Sequence, residues 1–173
     1  IFLLLEEDEW LIDTGAPTSF GDKTHLALSE FAFDLPGSYM GLDAEQVSGF
    51  IGRKIAGIIG ADILNDFDMI GDLPSGQLCF SKSTLVLEGE AIALEEFMGI
   101  PIVHVSISGS LHRMFFDTGA QISYFQDGSL KAFPSAGGLS DFYPGFGAFE
   151  TETYTVDITL GSALYTLRRG TLP

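Results

Sequence analysis

Short apolar runs broken by glycine and acidic residues form the basic pattern of this chain. Three leucines at residues 3–5 are followed by the acidic run 6–9 and the apolar run 10–12, which predicts a hairpin with an acidic tip. Apolar and polar residues alternate over 103–107, as expected of a strand with one buried face. Turn residues interrupt the apolar runs at short intervals throughout, so we predict a β-rich fold.

Later apolar runs complete the predicted set of elements. Residues 57–59 lead into a glycine and a stretch that predicts a short helix at 61–65. Residues 68–80 predict a hairpin, because a turn-forming stretch at 72–76 separates two apolar runs. Residues 154–160 alternate as a half-exposed strand does.

One tetrapeptide occurs twice. Asp-Thr-Gly-Ala occupies residues 13–16 and again residues 117–120, each time directly after an apolar pair, and the aspartates are 104 positions apart. A serine follows each aspartate at the same offset, as Ser19 and Ser123. An apolar strand that runs into Asp-Thr-Gly predicts a tight turn with a carboxylate at its tip. The long period indicates two copies of one structural unit rather than a solenoid.

The repeat divides the chain into two units and a connection. We assign residues 1–81 to the first unit, 82–98 to the connection, and 99–173 to the second unit. Within the connection, the apolar residues 85–87 predict a strand. A chain of 173 residues is long enough for one compact core or for two small lobes.

The composition indicates a soluble protein without a disulfide scaffold. Cys79 is the only cysteine, which excludes an intramolecular disulfide, and its place between Leu78 and Phe80 predicts a core position. No apolar stretch approaches the ~20 residues that span a bilayer. Residues 1–5 are too short for the apolar core of a signal peptide and lack a basic start. We interpret them as a strand and expect a cytoplasmic location.

The charge balance excludes one class of partner. Twenty-four acidic and eight basic side chains give a net charge of −16. Nucleic-acid binding needs clustered Lys and Arg, whereas the only adjacent basic pairs here are 53–54 and 168–169. The negative field also disfavours anionic membranes, so we expect neither a nucleic acid nor a membrane as partner. The same charge also fits a plain role in solubility.

Two carboxylates held face to face can hydrolyse a peptide bond. One takes a proton from water while the other protonates the carbonyl oxygen. Two like charges about 3 Å apart cannot both ionise, so the pair keeps one proton, and its titration belongs to both groups. Gly15 and Gly119 allow a sharp turn, and Thr14 and Thr118 can hydrogen-bond across the pair. This chemistry requires no cofactor and no metal, and the three histidines show no metal-ligand spacing.

The chain resembles the aspartic peptidase clan, and its retroviral-type (retropepsin-like) branch with bacterial members more closely than the pepsins. Both motifs read Asp-Thr-Gly-Ala, where pepsins have Ser or Thr after the glycine. Residues 58–64 match the family's second signature, in which two apolar residues and a glycine lead into a short helix. The resemblance covers the first unit well and the second in part. It implies an all-β fold of two pseudo-symmetric lobes of the acid-protease β-barrel type.

The resemblance also implies roles for individual residues. Asp13 and Asp117 are expected to form the catalytic dyad of an endopeptidase that acts on a peptide or protein substrate. The scaffold of the dyad is expected to consist of Thr14, Gly15, Ala16, Thr118, Gly119 and Ala120. The flap that closes over the substrate is expected at Gly37, Ser38 and Tyr39, with a counterpart at residues 145–147.

Two features of the motifs modify these expectations. Ala16 and Ala120 provide no hydroxyl to stabilise ionised carboxylates, which should raise the pKa values of the dyad and favour activity at mildly acidic to neutral pH. A second apolar-apolar-Gly signature is absent from the region after Asp117 where the first unit has residues 58–60 after Asp13. We therefore expect the second lobe to be incomplete at its C-terminal end.

Other interpretations of the same residues remain open. A catalytically inactive module that binds peptides or acts as a scaffold has the same fold and fits the same motifs. The repeated Asp-Thr-Gly-Ala also fits a purely structural turn. Because one chain carries both aspartates, we expect a monomer in which the lobes pair within the chain, rather than an obligate dimer.

Overall fold

The computed structural model describes residues 1–173 and is built mainly from β-strands. Strands hold 51% of the residues and helices 10%, which confirms the predicted all-β class at this level. The strands form five sheets, and none of them closes into a barrel. No helix is long and apolar enough to cross a membrane.

The chain forms 17 β-strands, two α-helices and one 3-10 helix. Residues 1–81 contain β1 (Phe2–Leu5), β2 (Asp8–Ile12), β3 (Phe20–Gly21), β4 (His25–Leu28), β5 (Phe31–Asp34), β6 (Ser38–Tyr39), β7 (Leu42–Asp43), α1 (Ala44–Ile51), β8 (Gly57–Ile59), α2 (Ala61–Leu64), β9 (Asp68–Asp72) and β10 (Gln77–Ser81). The remainder contains β11 (Glu95–Phe97), β12 (Ile100–Ile107), β13 (Ser110–Phe115), β14 (Ser123–Phe125), a 3-10 helix (Gly128–Ala132), β15 (Ser135–Tyr143), β16 (Gly147–Leu160) and β17 (Ala163–Thr171).

A four-stranded sheet with the order β1-β2-β8-β3 carries the first motif. β1 and β2 form the predicted hairpin, although its turn is only Glu6 and Glu7. β8 runs parallel to β2, with Leu11 opposite Ile58, and antiparallel to β3. Neighbours on both edges leave all three residues of β8 buried. Gly57 is needed there, because a Cβ on it would lie 2.2 Å from the carbonyl oxygen of Phe20.

The helix α1 was not predicted from the sequence. It begins after Asp43, whose carboxylate accepts the backbone N–H of Gln46, while the side chain of Gln46 accepts the backbone N–H of Asp43. This reciprocal pair is a capping box. The helix ends at Gly52, whose φ of 67° suits a left-handed cap. The second helix, α2, lies where residues 61–65 predicted it.

Cys79 lies in β10 but outside the core, which corrects the prediction of a buried cysteine. β9 and β10 form the predicted hairpin as a separate two-stranded sheet. Leu78 and Phe80 pack against the core cluster of the first unit. Because side chains alternate along a strand, Cys79 points away from that cluster and is exposed.

The connection contains no strand at residues 85–87, so that prediction is wrong. Residues 82–94 have no regular secondary structure, since an apolar run without a neighbouring strand has no backbone partners. The end of the connection instead forms β11, which pairs with β12. Strand pairing of the second unit therefore begins at Glu95, four positions before the predicted boundary at 99.

A seven-stranded sheet carries the second motif. Its main path is β11-β12-β16-β17-β14, with β13 paired to β12 and β15 paired to β16. β12 contains the predicted strand at 103–107 and forms a hairpin with β13. β16 contains the predicted strand at 154–160 and pairs with β17. β14 pairs with β17 in parallel, with Ser123 opposite Arg169. β13 and β14 each have a strand neighbour on one edge only.

Three apolar clusters form the interior. One surrounds Trp10 and Ile59, and a second surrounds Phe20 and Val47 beneath α1. The third surrounds Val156 in the seven-stranded sheet. The first two contain residues of the first unit only, and the third contains residues of the second unit only. The loop with Asp13 therefore extends from the apolar core of the first unit, and the loop with Asp117 extends from that of the second unit.

Candidate active site

The loop after β2 holds the carboxylate of Asp13 through backbone contacts. Its Oδ1 accepts the N–H groups of Gly15, at 2.9 Å, and Ala16, at 3.0 Å. The loop is fixed to the end of β8 and the start of α2, because the N–H of Asp13 donates to the carbonyl of Ile59 at 3.0 Å, and the N–H of Ala61 donates to the carbonyl of Ala16 at 2.8 Å. Asp13 is half-buried in this position.

The loop after β13 repeats the local arrangement around Asp117. Its Oδ1 accepts the N–H groups of Gly119, at 2.8 Å, and Ala120, at 3.0 Å. These bonds match those of the first loop atom for atom. Asp117 differs from Asp13 in that it is exposed.

The two loops are joined by an exchange of hydrogen bonds between their threonines. The Thr14 hydroxyl donates to the carbonyl of Phe116 and accepts the N–H of Thr118 at 3.0 Å. The Thr118 hydroxyl donates to the carbonyl of Ile12 at 2.7 Å and accepts the N–H of Thr14 at 3.1 Å. Each loop thus supplies the partners for the other, as Thr14 and Thr118 were predicted to do.

The glycines of the motif are required because the loops approach closely. A Cβ on Gly15 would lie 2.3 Å from Cγ of Asp117, and a Cβ on Gly119 would lie 2.4 Å from Cγ of Asp13. We expected these glycines to be needed for a sharp turn. Neither has a positive φ, so the turn does not require glycine. Each carboxylate instead lies against the backbone of the opposite loop, and this places the two carboxylates together.

Burial and the neighbouring aspartate raise the pKa of Asp13 to about 7. Loss of hydration is the largest cause, and the negative charge of Asp117 and a hydrogen bond with it act in the same direction. The N–H groups of Gly15 and Ala16 oppose this rise, because they stabilise the ionised form. Near neutral pH, Asp13 can therefore hold a proton beside a second carboxylate.

Ser19 performs a structural role that the sequence did not reveal. It is fully buried, and its hydroxyl donates to Oδ1 of Asp62 while accepting the N–H of Gly60 at 2.8 Å. The backbone N–H of Ser19 also donates to Asp62, at 2.9 Å. The sequence signal for this role was the serine that follows each motif aspartate at the same distance. This signal did not identify Asp62 as the partner of Ser19.

Replacement of this serine tests its role in stability. Ser19→Ala is expected to lower the free energy of unfolding by about 2 kcal/mol, because it leaves the buried N–H of Gly60 without a partner. Ser123→Ala is the matched control at the same offset, and a change within about 0.5 kcal/mol is expected there, since Ser123 is only half-buried. Urea unfolding followed by Trp10 fluorescence measures both. Equal losses from the two variants would contradict this assignment.

The predicted flap residues lie at the base and along one strand of a hairpin. Gly37 precedes β6, and Ser38 and Tyr39 form β6. The turn itself is Met40 and Gly41, whose φ values of 50° and 80° match a tight two-residue hairpin turn. The exposed tip is therefore displaced from the predicted glycine to Met40 and Gly41.

Two hairpins carry the predicted flap residues and their predicted counterpart. Tyr39 of the β6–β7 hairpin packs against the same apolar cluster as Ala16 of the first loop. The β15–β16 hairpin has its turn at residues 144–146, close to the predicted counterpart at 145–147. It is linked to β14 by a hydrogen bond from the Tyr124 hydroxyl to Asp141. Phe50 of α1 stacks on Phe142 of β15, with ring centroids 4.5 Å apart, which connects the two sides.

No metal-binding cluster accompanies the aspartates. No group of three or more His, Cys, Asp or Glu side chains is arranged to hold a metal ion. A mainly apolar groove of about 470 Å³ is lined by Thr14 and Phe116, among others, but by neither aspartate.

Comparison with known proteins adds no further assignment to this geometry. Neither the models of known protein families nor the curated proteins gave a match to this chain.

Proposed function

We propose that this protein is an aspartic endopeptidase, which hydrolyses peptide bonds with a water molecule activated between Asp13 and Asp117. The main support is the threonine exchange, which holds the two Asp-Thr-Gly-Ala loops face to face within one chain. In this proposal residues 1–81 and 99–173 are pseudo-symmetric lobes of an acid protease of the retropepsin-like type, joined by residues 82–98. The proposed active form is a monomer.

The chemistry follows from a single proton shared by the pair. With the pKa of Asp13 near 7, Asp13 carries the proton at mildly acidic pH. The ionised partner takes a proton from the water, and the water oxygen attacks the carbonyl carbon of the peptide. Asp13 gives its proton to the carbonyl oxygen, which forms a neutral tetrahedral diol. The partner then passes the proton that it took from water to the amide nitrogen, while the ionised Asp13 takes a proton from one hydroxyl of the diol. The C–N bond breaks, a carboxylic acid and an amine leave, and the pair again holds one proton.

The surroundings of the carboxylates favour catalysis over a purely structural turn. Structural turns satisfy their carboxylates with backbone N–H groups, and one oxygen of each aspartate is held in this way. A structural turn gains nothing from a second carboxylate that raises the pKa of Asp13. A peptide-binding module without turnover is the alternative, and it has the same paired loops and hairpins.

A cleavage assay tests the proposal. The protein is incubated with a disordered protein substrate from pH 3 to pH 8, and the products are identified by mass spectrometry. Cleavage is expected to be greatest at mildly acidic to neutral pH and to decline above pH 7, because Asp13 then loses its proton. Asp13→Asn and Asp117→Asn are each expected to lower the rate by about 1,000-fold or more.

The matched control is Asp22→Asn, an exposed aspartate outside the motif, which should cleave at the wild-type rate. Absence of cleavage at every pH by the folded protein would refute the peptidase. Binding of the same substrate without cleavage would support the peptide-binding module instead. A rate maximum below about pH 3 would contradict the role of the raised Asp13 pKa.

A further inference from the structure

One aromatic pair joins the two units through elements other than the motif loops. Phe50 lies in the last turn of α1, and Phe142 lies in β15. Their rings are stacked, with centroids 4.5 Å apart and planes 4° from parallel. Every other aromatic pair lies within one unit or joins the connection to the second unit. The stack is therefore a specific contact between α1 and the β15–β16 hairpin.

The other contacts between the two units are few. None of the three apolar clusters extends from one unit into the other, and no ion pair links the units. The hydrogen bonds between them all involve Thr14, Thr118 or Gly99, so they lie at the motif loops or directly before β12. Units without a shared apolar interior are expected to move relative to one another unless further contacts hold them.

Neither ring of the stack contributes to the interior of its own unit. Phe50 is 44% exposed, and neither Phe50 nor Phe142 belongs to any of the apolar clusters. Val47 and Ile51 of the same helix, by contrast, pack in the cluster that contains Leu11. The ring of Phe50 is therefore not needed to hold α1 on the first unit, and its packing partner is in the second.

Each ring is connected to a motif loop by a short path of contacts. In the first unit, α1 packs on the apolar cluster against which Ala16 of the motif loop also packs. In the second unit, Asp141 accepts the N–H of Phe142 at 2.8 Å through Oδ1 and the Tyr124 hydroxyl through Oδ2. Tyr124 lies in β14, which begins three residues after the second motif. The stack thus completes a ring of contacts that passes through both motif loops and the threonine exchange.

We propose that Phe50 and Phe142 are positioning residues that fix the angle between the two units and thereby hold Asp13 and Asp117 together. Each carboxylate is bound by N–H groups of its own loop, so a tilt of one unit about the threonine exchange moves the carboxylates apart. The threonine bonds lie at the hinge of this tilt, whereas the aromatic stack joins other elements and opposes it. The effect on cleavage rests on the proposed function, but the effect on the position of the carboxylates does not.

The pKa of Asp13 reports the position of the carboxylates without any need for cleavage. Burial and the charge of Asp117 raise this pKa to about 7. Both causes weaken if the units tilt, because water reaches the carboxylates and the distance between their charges increases. Loss of the stack should therefore lower the pKa of Asp13.

The test compares Phe50→Ala, Phe142→Ala and the double variant with the wild-type chain. The carboxyl carbon of Asp13 is titrated by carbon-13 NMR, and its resonance is identified by its absence from the spectrum of Asp13→Asn. The matched control is Phe146→Ala, because this ring is 60% exposed on the same hairpin and its aromatic neighbour is Phe149 of that hairpin. A second control, Phe50→Tyr, keeps the stacked ring.

We expect each alanine variant to lower the pKa of Asp13 from about 7 to about 6 or below. The double variant should give the same value as the single variants, because both substitutions remove one contact. Phe50→Tyr and Phe146→Ala should keep the wild-type pKa. Under the proposed function, each alanine variant should also lower kcat about tenfold and change KM by less than about twofold.

An unchanged pKa of Asp13 in both alanine variants, or an equal fall in Phe146→Ala, would overturn the proposal. A loss of stability without a change in this pKa would also overturn it, since the stack would then be purely structural. Phe142→Ala decides the matter alone if Phe50→Ala fails to fold. A lowered pKa in the alanine variants of a protein that cleaves no peptide would support the positioning role and refute the peptidase.

Discussion

Gly119→Ala should slow peptide cleavage about 100-fold or more in a protein that still folds. A Cβ at this position would lie 2.4 Å from Cγ of Asp13, so the carboxylate must move. A displacement of about 1 Å between reacting groups can reduce a rate about 100-fold. The threonine exchange would resist the movement, and we expect a stability loss of about 1–3 kcal/mol as well. The rate of cleavage and urea unfolding measure the two effects.

Gly49→Ala is the matched control for this substitution. Gly49 lies in α1, where a Cβ would meet nothing within 4 Å, so activity should be unchanged and stability slightly increased. Gly15→Ala should reproduce the loss at Gly119, because its Cβ would meet the other aspartate. Retention of wild-type activity by either motif variant would show that the carboxylates do not react as a closely spaced pair.

Asp13→Asn should stabilise the protein at pH 8 by an amount on the order of 3 kcal/mol. The pKa of Asp13 is about 7 in the folded chain against an ordinary value of 3.8. Between these values the folded state binds a proton that the unfolded state does not, so stability falls as pH rises through this range. Asparagine stays neutral and can still accept the N–H groups of Gly15 and Ala16.

The stabilisation by Asp13→Asn should therefore increase with pH. It should reach its full value above pH 7 and should vanish below about pH 4, where Asp13 is protonated in both the folded and the unfolded state. Urea unfolding at pH 4 and pH 8 measures the difference, with the exposed Asp22→Asn as control. An equal gain at both pH values would show that the ionisation of Asp13 carries no cost in the folded state.

Much of the candidate site could be predicted from the sequence, because the elements that build it are determined by residues close together in the chain. The apolar strand, the Asp-Thr-Gly-Ala loop and the apolar-Gly segment before α2 each form from neighbouring residues. The repeat then made the second loop predictable from the first. Conversely, α1 was missed although Asp43 and Gln46 form a capping box, because the helix has only eight residues and only two of them are buried.

Other features depended on contacts that no local pattern encodes. The partner of Ser19 is 43 residues away in the chain, and the glycines of the motif are required by the carboxylate of the opposite loop. The exposure of Cys79 depended on which face of an isolated hairpin meets the core. Leu85, Val86 and Leu87 form no strand because no strand lies beside them.

The reciprocal threonine bonds have a consequence for the synthesis of the chain. Thr14 is added to the growing chain 104 residues before Thr118, an interval of about 5–20 s at ordinary rates of translation. During that time the first loop can fold on β8, but its hydroxyl has no acceptor at Phe116 and Asp13 faces no second carboxylate. The proposed reaction centre can thus form only late in translation, so that under the proposed function peptide cleavage cannot begin before the second loop is in place.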